Sequence, residues 1–141
     1  MGFGTKICAL LAAAVGTLTL AAVASASLAP SAIPDCLGKP QVRPATMIFA
    51  CADANFGIKK LHWIGWGEST AAAVGVAYAN DCTPNCAAGH FHNYQAVIVA
   101  NGTLRCSNGT VAYGRVTVAF VGPSPYPKGK PADFVYPLRC A

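Results

Sequence analysis

The chain is poor in charge: Asp, Glu, Lys and Arg make up 11 % of its 141 residues, and only five residues are acidic. Those five, Asp35, Asp53, Glu68, Asp81 and Asp133, are scattered singly along the chain. They offer no ready pair for general acid and base work, which needs two groups whose surroundings push their pKa values apart. Apolar residues at helical spacing are missing over any useful length, which excludes a helical architecture. No serine sits in a G-x-S-x-G turn; Ser69 and Ser107 merely have glycines nearby, so a nucleophile elbow is excluded. The basic residues concentrate only at Lys59-Lys60 and Lys128-Gly129-Lys130, too thin a stripe for a nucleic-acid reader. After residue 26 no second apolar run of membrane length follows.

What is present begins with Lys6, then Ile7 to Ala24 without a charge, then Ala24-Ser25-Ala26. A basic start, an apolar stretch and a small-x-small site predict a signal peptide over 1–26, and with it export and a secreted or envelope location. A retained anchor is the competing reading, but the run is rich in Ala, Gly and Thr and makes a weak span. Removing 26 of the 141 residues leaves 115, enough for one domain.

Seven cysteines occur, and all but Cys8 lie beyond the predicted cleavage site. In an oxidising compartment Cys36, Cys51, Cys82, Cys86, Cys106 and Cys140 read as a disulfide framework, with 15 possible pairings. Because domain ends often lie close together, Cys36 with Cys140 is the preferred pair. A zinc site built on Cys82 and Cys86 would need a second, similarly spaced pair, and a thioredoxin-type motif has two intervening residues rather than three. Cysteine-based catalysis is disfavoured because each of the six cysteines has a partner available.

Residues 27–44 carry four prolines and read as an extended leader; 45–141 read as a single β domain. Strand-like runs fall at Thr46 to Cys51, Leu61 to Trp66, Thr70 to Tyr78, Tyr94 to Ala100 and Val111 to Val121, with Phe134 to Leu138 as a final edge segment that tolerates Pro137. Ala71-Ala72-Ala73 is assigned to a strand because Val74, Gly75 and Val76 follow. Asn101-Gly102 predicts a two-residue hairpin pairing Ala100 with Thr103. At Ser107-Asn108-Gly109 a three-residue loop with a bulge at Gly109 aligns Leu104 with Ala112 and turns Cys106 inward. The fold class is therefore all-β, a small antiparallel β-sandwich or partly open barrel, stapled by disulfides.

Two constellations carry chemistry. Trp63 and Trp66, three residues apart, face opposite sides of a regular strand with one in the core; the leading expectation is that both are packed, Trp66 under the proline-rich leader or the 123–131 loop, and the alternative leaves one free to stack on a sugar or anchor a partner. His90 and His92 flank Phe91 and would present two imidazoles to one side, with His62 as a third zinc ligand from a neighbouring strand. The commoner role of such histidines is a polar face opposite a buried aromatic, and no cofactor is the leading expectation.

Ala50-Cys51-Ala52-Asp53, Trp63-Ile64-Gly65-Trp66-Gly67 and Asn80-Asp81-Cys82-Thr83-Pro84-Asn85-Cys86-Ala87-Ala88-Gly89, with Phe91 and Tyr94, together resemble a group of small secreted proteins of actinobacteria, mycobacteria included. The resemblance spans roughly residues 45 to 121 and implies export and a shared β domain, without an activity. The expected function is that of a non-catalytic binding or structural protein of the cell envelope or extracellular space, its partner an extracellular protein or envelope polymer, with no nucleic acid and no membrane after cleavage. The alternatives are a small metal enzyme using His90 and His92, or a protease inhibitor presenting Cys82 to Cys86 or the Pro123 to Pro131 loop.

Overall fold

The computed structural model describes Met1, residues 29–128 and residues 133–141. The rest of the expected signal peptide beyond Met1 and residues 129–131 of the proline-rich loop lie outside the described residues. Every regular element among those described is a strand: β1 (Ile33–Pro34), β2 (Pro40–Gln41), β3 (Thr46–Ile48), β4 (Phe56–Gly65), β5 (Thr70–Asn80), β6 (Phe91–Arg105), β7 (Val111–Phe120) and β8 (Asp133–Pro137). β1 and β2 form a small hairpin, and the other six make one sheet in sequence order, each antiparallel to its neighbours. The sheet curls into a half-barrel. The all-β, disulfide-stapled, partly open architecture is thus the observed one.

The curl follows from side-chain size on the concave face. Along β5 the inward positions are Ala71, Ala73, Gly75 and Ala77, all buried. A Cβ on Gly75 would stand 3.0 Å from Leu61 Cδ2 and from the Lys59 carbonyl. This strand of small residues lets its neighbours close around it, and Ile58, Ile98, Val116 and Val118, none of them exposed, fill the space. Dense filling of this kind supplies most of the fold's stability, at roughly 25 cal/mol per Å² of apolar surface buried.

The two strands at the ends of the sheet, β3 and β8, do not pair with one another. Aromatic rings hold them together instead: Phe49 lies 5.5 Å from Phe134 and 5.2 Å from Tyr136, and Phe56 lies 5.0 Å from Phe134, centroid to centroid. The N-terminal hairpin covers one end of this seam. Ile33 is buried in the main core, and the backbone amide of Tyr113 donates to Ala32 O at 2.9 Å.

Two expectations are overturned. Asn101-Gly102 is not a hairpin turn: β6 runs unbroken from Phe91 to Arg105, pairing with β5 as far as Asn101 and with β7 through both sides of Gly102. Thr103 faces Tyr113, not Ala100. Gly102 keeps a positive φ of 71°, but it uses that freedom to bend a continuous strand where it passes Gly114, whose Cα lies 3.9 Å from the space a Gly102 Cβ would fill. Two flanking ladders outweigh one local turn signal.

The second concerns disulfides, which join Cys36 to Cys51, Cys82 to Cys86 and Cys106 to Cys140. The segments carrying Cys36 and Cys140 do meet, since Ala141 N donates to Gly38 O at 3.3 Å. Each sulfur nevertheless faces elsewhere, with Cα separations of 5.5 Å for Cys36 and Cys51 and 5.4 Å for Cys106 and Cys140, both within bridging reach. Gly38, with φ of 76°, leaves no room for a Cβ against the Cys140–Ala141 backbone.

The Gly109 bulge forms as expected. Gly109 has φ of 83°, Cys106 N donates to Thr110 O at 2.9 Å, Leu104 faces Ala112, and Cys106 is buried.

Candidate functional site: the seam cleft

Where the aromatic packing of the seam gives way, a cleft of about 650 Å³ opens between β3, β8 and the N-terminal hairpin. This volume lies in the range of small-molecule sites. Its floor is Met47, Phe49 and Leu138, all buried core residues. Its mouth carries Ile48 and Leu37, 41 % and 75 % exposed, so large apolar groups are left in water around an apolar hollow. The Cys36–Cys51 disulfide lines the same wall and ties the hairpin to the residues after β3.

Local chemistry positions these groups. Asp35 Oδ1 accepts from the amides of Leu37 and Lys39, both at 2.9 Å, and Asp35 Oδ2 accepts from Gln41 Nε2 at 3.2 Å. The carboxylate therefore shapes the hairpin turn and has both oxygens engaged. Leu138 N donates to Gly114 O at 2.9 Å, which ends β8 against β7, and the Cys106–Cys140 bridge holds the following residues. Arg139 sits between these two anchors and lines the cleft. Among the described residues the one close contact between a basic and an acidic side chain is His92 with Asp81, so the Arg139 guanidinium has no carboxylate partner there.

The tryptophans lie at the other end of β4. They do not face opposite sides: β4 bulges between Trp63 and Gly65 and ends there, so the rings pack edge to face at 4.5 Å. Both are half-buried against the core. Trp63 Nε1 donates to Pro44 O at 2.9 Å, and Trp66 lies 5.5 Å from the ring of Tyr113. The Tyr113 hydroxyl donates to Glu68 O at 3.0 Å and accepts from Gly67 N at 3.1 Å.

The histidines are exposed, and His62 lies apart from the other two. His62 is level with Val97 of β6, with β5 between them, while His92 lies near the start of β6. Asp81 gathers the other end: its Oδ1 accepts from the amides of His90 at 2.9 Å and Thr83 at 3.1 Å, and its Oδ2 meets His92 Nε2 at 2.9 Å. The His90 amide, the His92 ring and the Thr83 amide together hold the Asp81 carboxyl well below the usual carboxylate range. This network closes the base of the loop carrying Cys82–Cys86, most of whose residues are exposed. Among the described residues, no three His, Cys, Asp or Glu side chains come together as metal ligands.

The cleft was not foreseen from the sequence. Its walls come from residues 33–37, 41, 44, 46–51 and 136–139; the sequence marks strands and cysteines among them, but nothing in it brings these separated segments together. Fold and site together define a disulfide-stapled β half-barrel with an apolar seam cleft. Comparison with protein-family models, with curated proteins and with solved structures finds no match.

Proposed function

We propose that the protein is an exported, non-catalytic binding module that holds a small apolar ligand in the seam cleft. The observation that carries this reading is the cleft itself: about 650 Å³, with a buried apolar floor and exposed Ile48 and Leu37 at its mouth. Three disulfides accord with an oxidising compartment, and the apolar N-terminal run together with the resemblance to secreted actinobacterial proteins supports export. The scattered carboxylates and the engagement of Asp35 and Asp81 in local turns leave the described residues without a prepared acid–base pair, which favours binding over catalysis.

Nile red, a neutral dye whose emission rises in apolar surroundings, provides the test. Saturable one-to-one binding that is lost in the Ile48→Glu and Leu37→Glu variants, both changes at exposed positions and both checked for native unfolding behaviour, is the expected result. Absence of binding, or binding indifferent to both changes, overturns the proposal.

A further inference from the structure

We infer that the cleft selects single-chain amphipathic carboxylates, with Arg139 receiving the head group; this rests on the cleft being a ligand site. Two residues with charged side chains are among those lining the cavity, Asp35 and Arg139, and they differ in what they have left to offer. The Asp35 carboxylate is filled by the Leu37 and Lys39 amides and the Gln41 side chain. The Arg139 guanidinium has no carboxylate partner among the described residues, and a guanidinium presents a planar fork matched to a carboxylate. Its backbone cannot drift, because Leu138 is hydrogen-bonded to β7 on one side and Cys140 is bridged to Cys106 on the other.

Among the described residues the cavity is therefore an apolar hollow lined by one cationic residue without a carboxylate partner, complementary to an alkyl chain ending in an anion. A neutral alkyl ligand would gain the burial but not the ion pair. A compact polar anion would gain the ion pair but leave Met47, Phe49 and Leu138 uncovered. The chain's formal net charge of +5 also draws anions toward the surface.

The experiment is displacement of Nile red from the folded, disulfide-intact protein by dodecanoate and by 1-dodecanol, at pH 8 and below micelle formation. The expected result is a preference for dodecanoate of about tenfold, as for a charge-assisted hydrogen bond. In Arg139→Gln the preference for dodecanoate over dodecanol is lost, and Arg139→Lys keeps part of it. Equal binding of the two ligands by the native protein, or a preference that survives in Arg139→Gln, overturns the inference and leaves the cleft reading standing. Nile red that binds but yields to neither ligand also overturns it. Nile red that fails to bind at all overturns the underlying reading and this inference with it. If the protein instead binds phosphatidylglycerol vesicles through Arg139 without taking up dodecanoate, a lipid surface is the partner and the inference fails.

Discussion

Replacing Tyr113 by Phe removes one oxygen from a buried side chain and leaves the ring in place. Among the described residues Tyr113 is the largest fully buried side chain, and its hydroxyl bridges Glu68 O and Gly67 N at 3.0 and 3.1 Å. The ring burial is unchanged in the variant, so no cavity term arises, in contrast to truncation to Ala, which costs roughly 3–5 kcal/mol. What is lost is two hydrogen bonds, each contributing about 0.5–1.5 kcal/mol net. Gly67 and Glu68 are exposed residues, so water partly replaces the hydroxyl and the full penalty for orphaned backbone groups does not apply. The expected destabilisation is about 1–3 kcal/mol, or a fall in Tm of roughly 4 °C per kcal/mol for a domain of this size. Thermal unfolding with the disulfides intact measures it, and tryptophan emission reports the same event because Trp66 packs on the Tyr113 ring. A Tm within about 1 °C of the native protein, with unchanged emission, would refute the assignment of this hydroxyl as the clamp on the β4–β5 turn.

Further outcomes follow from other contacts. Gly75→Val pushes a branched side chain against Leu61, Ile58 and the Lys59 carbonyl, and urea unfolding should show a loss of about 1–3 kcal/mol from overpacking. Removing disulfides pairwise should destabilise in order of the loop closed: separations of 34, 15 and 4 residues for Cys106–Cys140, Cys36–Cys51 and Cys82–Cys86 correspond to about 4, 3 and 2 kcal/mol in the chain-entropy account. Asp81 has a folded pKa below its ordinary 3.8, so its contribution is fully present above that value and is lost as pH falls through the folded pKa. The stability gap between the native protein and Asp81→Asn should therefore be constant near neutrality and shrink in acid, which urea midpoints measured across the acidic range would show; a gap independent of pH would contradict the network at the base of the loop.

Legibility in the sequence divides along the range of the interactions. The Gly109 bulge was readable because only one register put Leu104 opposite Ala112 and turned Cys106 inward, and β8 was readable as an edge because Pro137 cannot serve a central strand. Asn101-Gly102 carries the same local signal as a hairpin, yet Asn101 pairs with Thr70 on one side and Arg115 on the other; competition from two long ladders is invisible in a local window. Trp63 and Trp66 were misplaced by assuming a regular strand, and the bulge before Gly65 brought them together. The proximity of the segments bearing Cys36 and Cys140 was readable in general terms, but proximity does not choose among sulfurs. The cleft was not readable because Leu37, Ile48 and Arg139 meet only after the sheet curls, and the curl depends on the small inward residues of β5, which otherwise look like unremarkable alanines.

The central claim, a ligand site at the seam of the half-barrel, is tested most directly by mapping amide chemical shifts of the isotope-labelled protein as dodecanoate is added. The account predicts saturable shifts at Leu37, Met47, Ile48, Tyr136 and Arg139, with the amides of His90, His92 and the Trp63–Gly67 segment unmoved. Shifts concentrated at the tryptophans or the histidines, or none at all, would contradict it.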